Sequence, residues 1–212
     1  MATRVARTRL RLRKIPRQQR SAHMVETIVE AAARILETRG LAGFNTNAVA
    51  ERAGVSIGSL YQYFPSKEAL IAALSDRERK RLVAGIAETY RQAAAPDLVS
   101  ALRPLVRAAI RQQLARPALA RALDFEEQRL VLNEADRRTT QDIAGVVMAL
   151  LGRHRRQVAV HDLEEAALDL IAIARALIDG AASRGHVEPA GLESRIMRAV
   201  LGYLTGRANV AA

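Results

Sequence analysis

An all-α fold is predicted for this chain on three observations. No stretch sustains the apolar–polar alternation of a half-buried strand. Aromatic residues make up only 3% and β-branched residues are sparse, while Ala, Leu, Arg and Glu, which give up little on entering a helix, dominate. Apolar residues recur instead at helical spacing in window after window. The 212 residues suffice to bury a real core. Breakers divide them into about nine helices: a three-helix N-terminal head, a linking helix and a C-terminal helical body.

Residues 1–20 come first as a basic arm. They hold Arg4, Arg7, Arg9, Arg11, Arg13, Lys14, Arg17 and Arg20 and no acid, a local +8 of the chain's +11. The arm has no apolar core of its own, so it is expected to be mobile and not a secretory signal. A first helix follows from about Ser21 to Thr38, with Met24, Ile28, Ala31, Ala32 and Ile35 at helical spacing and Gly40 after its end. Asn45 or Thr46 then caps a short helix whose Val49, Ala50 and Ala53 share a face. Gly54 supplies the left-handed turn and Val55 plugs the corner. Ser56 caps a second short helix that runs to about Phe64 and stops at Pro65. Leu60 and Phe64, at i and i+4, face inward. Two helices joined in this way by a Gly-containing turn form a helix-turn-helix, the unit that sets its second helix in a DNA major groove.

Ser66 caps the fourth helix, which continues towards Tyr90 and carries Arg77, Arg79, Lys80 and Arg81. A helix after Pro96 reaches about Arg116, with Pro104 kinking or beginning it. Pro117 starts a short segment, and residues 124–157 read as one helix. Asp162 caps the next, rich in apolar residues from Leu163 to Ile178. Pro189 starts the last, with Leu192, Ile196, Val200, Leu201 and Leu204 on one stripe. The expected organisation is therefore arm 1–20, head 21–72, body 73–206 and a frayed end 207–212, with the boundary inside the fourth helix near residues 72–85.

The chemistry of the second short helix fits base and phosphate contact. Its early side chains would reach the groove: Ser56 and Ser59 bond either partner, Ile57 meets a thymine methyl, and Gln62 pairs with adenine. The hydroxyls of Tyr61 and Tyr63 are phosphate donors. Gly58 admits close backbone approach to DNA or to a neighbouring helix. Within 41–70, Arg52 and Lys67 balance Glu51 and Glu68. Long-range attraction to phosphate would therefore come from the arm, chiefly Arg9, Arg11, Arg13 and Arg17. The bland alternatives are a solvated tail and a plain helical hairpin.

The run Ala50-Glu51-Arg52-Ala53-Gly54-Val55-Ser56, then Gly58, Leu60, Tyr61, Tyr63-Phe64 and Lys67-Glu68-x-Leu70, resembles the DNA-binding domain of TetR/AcrR-type transcriptional repressors. The resemblance covers about residues 22–72. Asn45-Thr46 stands where many members carry Thr-Thr, and Asn caps as well as Thr. The resemblance implies that Thr46 and Lys67 join the phosphate set. It also implies that the last two helices form a four-helix interface with a mate, giving a homodimer on a pseudo-palindromic operator; Leu170, Leu177, Ile196, Val200 and Leu204 are the candidates. An ordinary core pair would show the same stripe.

About 140 residues follow the head, more than an architectural DNA binder needs. The reading is a repressor released from its operator by a small-molecule effector. The alternative is a helix-turn-helix protein with no effector, controlled by a partner or acting architecturally. Helical phase offers Leu105, Ile110, Val147 and Ile171 as pocket lining, with Arg175 as an anchor for an acidic ligand or simply an i,i+4 partner of Asp179. There are no Cys, which excludes disulfides, thiolate zinc sites and Cys nucleophiles. His23, His154, His161 and His186 show no metal-binding spacing, and no nucleotide or hydrolase motif is present, so no metal, no cofactor and no enzymatic activity are expected. No apolar run reaches the length of a membrane span. The expectation is a cytoplasmic protein.

Overall fold

The computed structural model describes residues 19–93, 95–130, 133–185 and 188–206. Among them are nine α-helices and no strand: α1 Gln19–Arg39, α2 Thr46–Ala53, α3 Ile57–Tyr63, α4 Lys67–Gln92, α5 Leu98–Ala115, α6 Pro117–Leu130, α7 Asn133–Arg153, α8 Leu163–Ser183 and α9 Pro189–Thr205. A single 3₁₀ turn, Arg155–Gln157, follows α7. No described helix is long and apolar enough to cross a membrane. Residues 1–18 and 207–212 lie outside the described residues, and Gln19 and Arg20, expected in the arm, open α1.

The chain forms two compact units. One takes the chain up to Arg79 and adds Arg116–Asn133; the other takes Lys80–Ala115 and everything from Glu134. The change of unit falls inside α4, between Arg79 and Lys80. The head gains what the sequence had placed in the body. Leu119 and Leu123 of α6 are buried in the same cluster as Ile28, Ile35 and Leu36 of α1, Val49 of α2, Leu60, Phe64, and Leu70, Ile71 and Leu74 of α4. An i,i+4 apolar pair declares that a helix packs but not which core receives it. A second correction concerns 124–157, which is divided between α6, α7 and the 3₁₀ turn.

Ends form where local chemistry demands them. The Asn45 side chain accepts from Ala48 N–H at 2.9 Å, Ser66 Oγ accepts from Ala69 N–H at 3.2 Å, and Asp162 accepts from Glu164 and Glu165 N–H. Gly54 closes α2 at φ 67°, where a Cβ would be strained. Pro104 lies inside α5 and does not begin it.

The core of the second unit is built on α5, α7, α8 and α9 through Leu102, Leu105, Ile110, Val147, Leu150, Leu151, Leu170, Ile178, Ile196, Val200 and Leu204. A buried carboxylate of this unit, Glu193 of α9, accepts from Arg103 at 2.6 Å and Arg107 at 2.7 Å on α5. Those two bonds hold it below the usual carboxylate range. Tyr203 of α9 donates to Asp169 of α8 at 2.6 Å, which pushes its phenol up to about 12.

Candidate nucleic-acid interface

Leu60 and Phe64 anchor α3 from below, each fully buried. The opposite side of α3 is therefore turned to solvent. Ile57 and Tyr61 are 39% and 42% exposed, large values for such side chains, and Gly58 and Gln62 are exposed with them. A Cβ built on Gly58 would meet nothing nearer than Ser56 Oγ at 3.9 Å. No neighbouring helix therefore requires glycine there.

The hydroxyls on this surface are arranged in pairs. Ser56 Oγ accepts from Ser59 N–H at 3.0 Å and lies 2.8 Å from Ser59 Oγ. Ser56 is thus occupied as the N-cap of α3, and its partner Ser59 is only partly exposed. Thr46 Oγ1, on the first residue of α2, lies 3.1 Å from the Tyr61 hydroxyl. Tyr63 is half-buried against the head core. Lys67, opening α4, places Nζ 5.4 Å from the centre of the buried Phe44 ring, a cation–π contact that fixes its stem. Thr46, Ser56, Ile57, Gly58, Ser59, Tyr61, Gln62, Tyr63 and Lys67 are all exposed or partly exposed. Arg9, Arg11, Arg13 and Arg17 lie outside the described residues.

The same unit holds a charged cluster that the sequence does not announce. Arg116, just ahead of α6, donates to Glu37 and to Glu30 of α1, the latter at 3.2 and 3.3 Å. Arg77 of α4 reaches Glu26 and Glu30 at 3.0 Å and Glu78 at 2.9 Å. The hydrogen bond from Arg116 holds the Glu37 carboxyl below its ordinary range. Burial raises that of Glu30, but Arg116 and Arg77 outweigh it and the net direction is down. The partners are 79 and 86 residues apart, so no local signal could have joined them.

The body residues separate into two groups. Leu105, Ile110 and Val147 are buried in the second core and Ile171 packs against it. Arg175 is half-exposed and 3.8 Å from Asp179, the surface i,i+4 pair and not a buried anchor. Of the five residues expected at a mate-facing surface, Leu170, Ile196, Val200 and Leu204 are buried in the second unit's core and Leu177 packs against it. The stripe is apolar, and its phase is that of the inward face. What α8 turns outward is Leu168, Ala172, Arg175 and Ala176.

Comparison with known proteins places this architecture. Residues 28–74 match the family described as bacterial regulatory proteins, tetR family, and residues 97–204, about half of the chain, match the tetracyclin repressor-like C-terminal domain. An uncharacterized HTH-type transcriptional regulator of Xanthobacter autotrophicus is 34% identical over 82 residues, 39% of this chain and 41% of that protein. The HTH-type transcriptional repressor KstR of Mycolicibacterium smegmatis is 42% identical over 55 residues, 26% of this chain and 27% of the relative. The chain thus spans less than half the length of the curated relatives it matches. Among solved structures, the fatty acid degradation regulator FadR of Bacillus halodurans superposes with a TM-score of 0.71 at 21% identity, covering 84% of this chain and 94% of that one. A transcriptional regulator from Rhodococcus sp. RHA1 does so at 0.67 and 23% identity, covering 89% and 99%. At such identities the likeness is one of fold. With both halves matched in order and the reading helix displayed as described, the chain belongs to the tetR family of bacterial transcriptional regulators, which are DNA-binding proteins and not enzymes.

Proposed function

We propose that this chain is a cytoplasmic repressor that binds a pseudo-palindromic operator as a two-fold homodimer and is released by a small-molecule effector. The observation that carries the DNA reading is α3: buried Leu60 and Phe64 hold it down while Ile57, Gly58, Tyr61 and Gln62 face out. Ile57 and Gln62 then read base edges, and Thr46, Tyr61 and Lys67 take phosphates. The arm adds non-specific attraction through Arg9, Arg11, Arg13 and Arg17.

Two-fold pairing follows from the way helix-turn-helix heads bind two half-sites about 34–36 Å apart or a multiple of it. The mate-facing surface falls to the outward side of α8, through Leu168, Ala172 and Ala176, since the inward stripe is already used. A mostly apolar effector is expected among Leu105, Ile110, Val147 and Ile171, because these line the interior of a body far larger than DNA binding needs. Its coupling to DNA would be about 1–3 kcal/mol.

The test is selection of duplexes from a random pool, with footprinting of the winners. A two-fold symmetric site supports the reading, and only asymmetric single sites would reject it. A metabolite panel screened by thermal shift then supplies effectors. A compound that stabilises the body while leaving operator affinity unchanged rejects the coupling.

A further inference from the structure

We infer that Arg195 and Arg198 of α9 select the mate, by pairing with Glu165 and Asp179 on α8 of a second copy of this chain. This rests on the two-fold pairing proposed above and deepens it by naming the charges that make the chain choose itself.

The inner faces of α8 and α9 are spent on the core of their own unit. The outer face of α8 carries a second series, Glu165, Leu168, Ala172, Arg175 and Asp179. Its steps alternate between three and four residues, the spacing by which one helix seats along another. All five are exposed or partly exposed, Leu168 at 39%. Three of the five are charged, so an apolar partner would leave charge uncompensated. Glu165 and Asp179 stand seven residues to either side of Ala172. A two-fold axis through Ala172 would therefore turn each Glu165 towards the Asp179 of the mate. Carboxylates brought together in this way repel unless cations accompany them. Arg175 sits 3.8 Å from Asp179 on the same helix, which leaves one net negative charge on each series. Even so, burial raises the Asp179 carboxyl against the pull of Arg175. Its charge is short of a counter-charge.

The missing cations are on α9. Arg195 and Arg198 lie on the side away from the buried Ile196, Val200 and Leu204. Both are exposed, and among the described residues neither makes a hydrogen bond or ion pair. A guanidinium fork matches a carboxylate in two parallel bonds, which suits it to fixing register as well as neutralising charge. Under two-fold symmetry every pairing occurs twice, so four arginines meet four carboxylates. The partner is a second copy because its own α8 supplies acids at the helical spacing that the contact needs.

The experiment measures self-association of the full chain by analytical ultracentrifugation without DNA, with circular dichroism of each variant. R195Q/R198Q removes four exposed pairs per dimer, each worth about threefold, so association should weaken about a hundredfold. The reversed chains R195E/R198E and E165R/D179R should each weaken further. An equimolar mixture of the two reversed chains should form a heterodimer of about native affinity, because an acidic α9 then meets a basic α8 at both contacts. That rescue also shows that the reversed chains fold. A mixture that stays unpaired overturns the inference. So does a native dimer indifferent to R195Q/R198Q, which leaves two-fold pairing itself standing. A native chain that is monomeric overturns both.

Discussion

The head and the body each set a charged side chain among partners of opposite sign, Arg116 among carboxylates in the one and Glu193 among arginines in the other. In the head, the Arg116 side chain is 19% exposed and that of Glu37 17%, so both members of the pair are covered. In the body, Glu193 is the covered member at 11%, and its partners Arg103 and Arg107 are 41% and 53% exposed. Losing the covered member therefore has unlike consequences. Without Arg116, the covered Glu37 and its neighbour Glu30 on α1 lose the arginine they share. Without Glu193, two long arginine side chains swing into water. The head cluster is thus a structural commitment, binding α6 to α1, whereas the body cluster is a surface clasp.

The largest effects should come from the cores, and they test whether the two regions respond separately. Phe64→Ala should cost about 3–5 kcal/mol and Ile196→Ala about 2–5 kcal/mol. Amide hydrogen exchange should show α1–α3 losing protection in the first and α8 and α9 in the second. Uniform loss across the chain in both variants would break the comparison.

Arg116→Met keeps the apolar stem but removes the charge, and should cost about 1–3 kcal/mol. It also carries a pH signature. Glu37 and Glu30 lie below their ordinary range in the folded state, so each contributes stability at neutral pH that is lost as pH falls through its folded value. Between roughly pH 5 and 3 the native chain should therefore lose more stability than the variant does. Parallel acid titrations of the two, followed by circular dichroism, would refute this.

Smaller again is the functional contrast. Gln62→Ala should leave stability unchanged but relax preference at one operator position, at about 1–3 kcal/mol if its contact is bidentate. A selection profile identical to the native one would remove Gln62 from the reading set. The smallest effect belongs to the clasp: Arg103→Ala should cost about 0.2–1 kcal/mol, because Arg107 still holds Glu193. A cost matching that of Arg116→Met would erase the distinction between commitment and clasp.

What the sequence determined by itself was everything set over one or two helical turns. Asn45, Ser56, Ser66 and Asp162 cap as expected, Gly54 turns as expected, and Leu60 with Phe64 defines which side of α3 is left for DNA. Those outcomes depend on side chains meeting backbone a few residues away, so their chemistry is written in spacing alone. Tertiary structure decided the rest. It took α6 into the head, turned the stripe of α8 and α9 inward, brought Thr46 to Tyr61 and gathered Arg116 onto Glu30 and Glu37. An apolar period announces that a helix will bury one face, but the identity of the partner is a property of the whole packed chain. Such long-range choices leave no periodic mark on the residues that make them.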